Sequence, residues 1–148
     1  MDIQIDNRQN RETIDLQTLR ETVRRILDAL GCPDGEVSLS LVSDEEIESI
    51  NRDYRRQPRP TNVIAFSMRE GAFSDLNPDL LGDVVVSVDT CRSEAEAAGI
   101  PFADRLEELV LHGMLHLFGY DHEQSPEAET AMWRKTDAVM AAIRRSKP

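Results

Sequence analysis

His112-Gly-Met-Leu-His116-Leu-Phe-Gly119-Tyr-Asp121-His122 contains all three histidines of the chain. It closes a run from about residue 103 to 118 in which Leu106, Leu109, Val110, Leu111, Met114, Leu115, Leu117 and Phe118 make a helix that is apolar nearly all round. Such a helix is buried, so the fold is expected to form around it. His112 and His116 lie four apart and share one helix face, with Cβ atoms about 5–6 Å from each other. Gly119 permits a positive φ, and the turn it allows can bring His122 back toward the other two. A lone histidine in an apolar helix is usually a satisfied core residue. Three so close together, with none elsewhere, point instead to a metal. Three converging imidazoles with one open position are the ligand set of a catalytic zinc. The spacing predicts one Zn2+ ion held by His112, His116 and His122, although imidazole also suits nickel, copper and iron.

The flanking sequence alternates strands and helices. Residues 83–88 form a β-branched run that predicts a buried strand. Asp89 or Thr90 then caps a helix to about Ala98, closed by Gly99 and Pro101. After the histidines, Ser125-Pro126 is an N-cap and N1 pair for a last helix running to about Arg144. Near the start, residues 2–6 read as a short strand. Leu16, Leu19, Val23, Ile26, Leu27 and Leu30 recur at helical spacing until Gly31 and Pro33. Val37, Leu39 and Leu41 alternate with Ser38 and Ser40, as in a half-buried strand. Ser43-Asp44-Glu45-Glu46 is a capping box for a helix with Ile47 and Ile50 facing inward, expected to end near residues 52–54. Residues 61–66 read as a strand. Residues 67–82, with Gly71, Pro78 and Gly82, read as a loop. The expected fold is α+β, a small mixed sheet of about four strands packed with helices, in a single domain over residues 1–148. The metal site falls on the buried helix and the turn that follows it. Strand order is not readable from this pattern.

At 148 residues the chain is long enough to bury a core, and 40% hydrophobic with 30% charged residues is a soluble, globular balance. No apolar run approaches the ~18 residues of a membrane span, and the N-terminal sequence lacks signal-peptide features. A cytoplasmic protein with no membrane partner is expected. Cys32 and Cys91 allow a disulfide but do not suggest one, and they read as small buried thiols. The net charge of −11 argues against broad, nonspecific nucleic-acid binding. Yet Arg52, Arg55, Arg56 and Arg59 stand against Asp53 alone in residues 52–59. The run is either a solvated loop or a phosphate-binding patch, since guanidinium forks match phosphate oxygens.

Gly113 narrows the chemistry. In H-E-x-x-H metalloproteases the glutamate after the first histidine is the general base. The spacing here, H-x3-H-x5-H, matches the longer metzincin motif without that carboxylate. A metal that polarises an oxygen or acidifies a water, together with an arginine, suits a phosphodiester, whose transition state places negative charge on nonbridging oxygens. In RNA the 2′-hydroxyl can itself attack, which relaxes the need for a base at position 113. Whether water or the 2′-hydroxyl attacks stays open. Asp121 is a candidate acceptor for an imidazole N–H, a candidate base or substrate contact, or a turn residue before the last helix.

The histidine motif resembles the signature of the YbeY family of bacterial endoribonucleases, H-G-x-L-H-L-x-G-Y-D-H, at every fixed position. Leu81-Gly-Asp-Val-Val-Val-Ser-Val-Asp89 resembles that family's L-G-D-I-x-I-S segment. Tyr54-Arg55 with Pro60-Thr61-Asn62-Val63-Ile64-Ala65-Phe66 resembles Y-R-x4-P-T-[DN]-V-L-S-F. The likeness spans about residues 40–140. It departs at Ala65, where the family often has serine, and at Ser67, where it often has proline. The resemblance implies a single-strand-specific, zinc-dependent endoribonuclease in rRNA processing, notably at the 3′ end of 16S rRNA, and in ribosome quality control. Its implied partners are single-stranded RNA or rRNA and components of the ribosome or small subunit. It also implies that His112, His116 and His122 bind the metal and that Arg55 is the functional arginine. Two other readings remain: a metallopeptidase-like hydrolase, with Asp121 or another carboxylate as base, and a non-catalytic ribosome-assembly factor whose zinc is structural.

Overall fold

The computed structural model describes residues 3–68, 79–119 and 125–146. Along the chain lie β1 (Ile3–Asn7), α1 (Leu16–Ala29), β2 (Glu36–Val42), α2 (Asp44–Arg55), β3 (Val63–Ser67), β4 (Leu80–Ser87), α3 (Val88–Ala98), α4 (Phe102–Leu117) and α5 (Pro126–Ser146). The four strands form one sheet in the order β1-β2-β4-β3. β1 pairs parallel with β2, β2 pairs parallel with β4, and β3 runs antiparallel to β4. This is the mixed α+β sheet expected from the pattern. The order adds what the pattern lacked, that β3 is an edge strand.

Side chains alternate across a strand, and the valine run of β4 uses both sides. Val84 and Val86 join the main core with Leu39 and Leu41 of β2, Val23 and Ile26 of α1, and Leu111 and Met114 of α4. Val85 points the other way, into a smaller cluster with Ile47 of α2 and Ile64 of β3. Helices α1 and α4 therefore cover one face and α2 the other. Full burial of a leucine or isoleucine contributes about 1.5–3 kcal/mol, so the larger cluster dominates the packing.

Several boundaries differ from the sequence expectation. Helix α2 continues to Arg55 rather than ending near residues 52–54. Ser43 accepts from the Glu46 N–H, acidic residues fill the first turn and Arg52 and Arg55 the last, and Arg56 at φ 57° closes the helix. That charge order complements the helix dipole. Strand β3 runs from Val63 to Ser67 rather than over 61–66, and β4 starts at Leu80, so the expected loop is shorter at both ends; residues 69–78 lie outside the described residues. Val88 opens α3 instead of closing the strand. The cap is Ser87, not Asp89 or Thr90: its Oγ accepts from the Thr90 N–H at 3.2 Å. The Asp89 carboxylate is instead engaged by Arg11 and by the Asp44 N–H.

Cys32 is half-buried and Cys91 buried. Burial pushes the Cys91 thiol up to about 12. No helix among the described residues is long and apolar enough to cross a membrane.

Candidate active site

Helix α4 is not apolar all round. Leu106, Leu109, Val110, Leu111, Met114, Leu115 and Leu117 are buried, but Arg105, Glu108, His112 and His116 recur three and four apart along one stripe. That stripe faces a cavity of about 620 Å³. The His112 and His116 rings stand 5.2 Å apart between centroids and 73° apart in plane. Two neighbouring imidazoles on one rigid helix, both open to one cavity, fit the donor set a first-row cation needs.

Gly113 lies between them in sequence but faces the sheet. A Cβ built there would stand 2.6 Å from Val84 Cγ1 and 3.0 Å from Val63 Cγ2. Only a glycine lets α4 lie this close to β3 and β4. The sequence marks position 113 as a missing carboxylate. The structure adds that no side chain of any kind fits there while the helix keeps this seat.

Gly119 has φ +96°, and its N–H donates to the His116 carbonyl at 3.0 Å, so the expected turn after the helix begins as anticipated. Residues 120–124, and with them Asp121 and His122, lie outside the described residues. Among the described residues no third ligand-type side chain gathers with His112 and His116 into a metal cluster.

The opposite wall of the cavity comes from around the sheet edge. Arg55, at the end of α2, lines the same cavity as the two histidines, as does the segment from Thr61 to Phe66. Because β3 is the edge strand, one helix end reaches the cavity from one face of the sheet and α4 reaches it from the other. Arg55 is exposed and makes no ion pair among the described residues. Its loop is tied down from within: the buried Asn51 donates through Nδ2 to the Arg59 carbonyl at 2.9 Å, and the Asn51 carbonyl accepts from the Gln57 N–H at 3.2 Å.

Arg105, Asn62 and Glu94 form a brace that the sequence reading missed. Arg105 donates through Nε and Nη2 to Glu94 Oε1 at 3.1 and 3.0 Å, and through Nη1 to Glu108 at 3.3 Å. Asn62 Nδ2 donates to the same Glu94 carboxylate at 3.2 Å. Burial pulls the Arg105 guanidinium down, but hydrogen bonds and charge from Glu94 and Glu108 outweigh it and hold it raised. The brace ties the approach to β3 to α3 and α4, fixing the cavity's walls to one another. The spacing of Arg105, Glu108, His112 and His116 was the available signal.

A family model described as Endoribonuclease YbeY matches residues 4–144. The chain is 55% identical over 143 residues to the Endoribonuclease YbeY of Geobacter sulfurreducens, covering 97% of this chain and 95% of the relative. It is 39% identical to that of Halalkalibacterium halodurans, covering 95% of this chain and 96% of the relative. Among solved structures, a solution structure of a Thermotoga maritima protein matches with a TM-score of 0.68 at 30% identity, covering 95% of this chain and 88% of that one.

Proposed function

The chain belongs to the Endoribonuclease YbeY family, and on that premise we propose that it is a single-strand-specific, zinc-dependent endoribonuclease that cuts RNA in the cavity between α4 and the end of α2. The observation that carries this reading is the shared cavity of Arg55, His112 and His116. These residues are far apart in sequence and come from opposite faces of the sheet, yet they meet around one edge strand. His112, His116 and His122 would hold one zinc ion. Bound there, the ion supplies Lewis acidity toward a phosphoryl oxygen.

The chain's own residues do the rest. Arg55 offers a planar fork of donors that matches the nonbridging oxygens of the scissile phosphate. It stabilises the charge those oxygens gain in the transition state. Its unpaired state among the described residues contrasts with Arg105, whose donors are already spent on Glu94 and Glu108. Asn51 holds the loop after Arg55 in place, and the Asn62–Glu94–Arg105 brace ties the approach to β3 to α3 and α4. Asp121, beside His122, is proposed to orient an imidazole by accepting its N–H. The proposed setting is rRNA processing in the cytoplasm, at the 3′ end of 16S rRNA and in ribosome quality control, with the small subunit as partner. The peptidase alternative is not favoured, because the family model and the relatives that match nearly the whole chain are endoribonucleases by name.

Arg55→Ala tests the reading. Arg55 is exposed, so the variant is expected to keep its fold and its metal content while kcat on single-stranded RNA falls by about 10²–10³-fold. Cleavage at the wild-type rate would remove Arg55 from the mechanism.

A further inference from the structure

Tyr54, on the last turn of α2, is 73% exposed, the most exposed large hydrophobic side chain among the described residues. It belongs to neither buried core cluster. Burying it would stabilise the fold, so its position is not explained by packing. Its surroundings suggest a use. Tyr54 directly precedes Arg55, and Asn51, Tyr54 and Arg55 share a helix face at i, i+3 and i+4. The Tyr54 ring meets Phe66 edge to face, with centroids 5.5 Å apart and planes at 71°. Phe66 lines the cavity together with Arg55 and the two histidines. Tyr54 therefore stands at the lip of that cavity. A single edge-to-face contact covers at most one face of a ring, and at 73% exposure a broad face is open to solvent. Arg52, Arg56 and Arg59 are exposed in the same short stretch of an otherwise acidic chain.

An open aromatic face among guanidinium groups is how proteins hold single strands: the base stacks on the ring and the cations take the phosphates. We propose that Tyr54 is a base-stacking residue of the substrate site, receiving an unpaired nucleobase from a nucleotide next to the phosphate that Arg55 contacts. Phe66 sets the angle of the ring. A base inside a duplex already has both faces stacked, so Tyr54 favours unpaired RNA over paired RNA. This inference rests on the endoribonuclease reading and assigns that site a specificity residue.

The test combines protein variants with abasic RNA. Equilibrium binding of the full-length protein to a labelled single strand is compared with binding to the same strand carrying one abasic nucleotide at each position in turn. Tyr54→Ala is expected to weaken single-strand binding roughly 5- to 150-fold, while Tyr54→Phe and Tyr54→Trp stay near wild type and duplex binding is unchanged. One abasic position should weaken the wild type by a similar factor and have no further effect in Tyr54→Ala. A purely structural tyrosine would not produce that coupling. Tyr54→Ala binding like wild type, or abasic losses that add to it at every position, would overturn the proposal. If the wild type cuts RNA and Tyr54 shows no coupling, the nuclease reading stands and the stacking role fails. If the coupling is present and the RNA is never cut, the reverse holds.

Discussion

Adding one methyl group at position 113 tests how α4 is seated. In Gly113→Ala the new Cβ would meet Val84 Cγ1 at 2.6 Å, Val63 Cγ2 at 3.0 Å and Val84 Cγ2 at 3.3 Å. Carbon atoms normally rest about 3.5–4.0 Å apart. Turning Val84 gives no relief, because both of its methyls are close and β-branched side chains are stiff at χ1. The helix has to lift by about an ångström to restore normal carbon contacts. Overpacking of this kind costs about 1–3 kcal/mol, and alanine's better helix propensity offsets about 1 kcal/mol of that. The expected net loss is up to about 2 kcal/mol, with Tm falling about 2–4 °C per kcal/mol for a domain of this size. Val84→Ala removes two of the three close methyls and leaves Val63 Cγ2, so the double variant should be more stable than the two single losses predict, by about 1–2 kcal/mol. Denaturant unfolding of the four proteins measures this coupling. The lift also moves His112 and His116 away from the wall that carries Arg55. A displacement near 1 Å can lower catalysis about 10²-fold, so RNA cleavage by Gly113→Ala should fall further than its stability does. Additivity within about 0.5 kcal/mol, or a Gly113→Ala protein about 1 kcal/mol more stable than wild type as propensity alone would give, would refute the close seat of α4 on the sheet.

Two further outcomes follow from the surrounding structure. Glu12 accepts from Arg92 at 3.1 and 2.6 Å, and the hydrogen bond from Arg92 holds its carboxyl below the usual range. A lowered folded pKa gives stability that is present above the unfolded pKa and is lost as pH falls through the folded one. The Tm gap between wild type and Glu12→Gln should therefore be full at pH 7 and shrink progressively as pH falls below the ordinary glutamate value of about 4.3; a gap constant down to pH 3 would contradict the pairing. The Cys91 thiol, buried and pushed up to about 12, should resist thiol reagents at pH 8 in the native protein and react only after unfolding. Rapid native labelling of Cys91, read by peptide mass, would contradict its burial.

Much of the local architecture is legible in single residues. Ser43 capped α2 as its box implied, the alternation of Val37, Leu39 and Leu41 matched an alternately buried strand, and Gly119 took the positive φ that its place after the helix required. These signals are short-range, set by one turn or one pleat. The edge position of β3 was not legible, because it depends on β4 pairing with β2 on one side and β3 on the other across long stretches of chain. Yet that position is what lets Arg55 and the histidines meet. The polar stripe of α4 was hidden for a different reason. Arg105 and Glu108 are embedded among enough apolar residues that the helix reads as wholly buried, and their joint role appears only once Glu94 and Asn62 come alongside. Ser87 as a cap was masked by the valine run before it, which reads as strand through Val88.

The most direct test of the central claim is single-stranded RNA cleavage by protein purified without a histidine tag, stripped with chelator and then titrated with zinc, with bound metal measured at each step. The account predicts that cleavage disappears with the metal, returns in proportion to zinc up to one ion per chain, and does not return in His112→Ala. Undiminished cleavage by protein shown to hold no metal would contradict it.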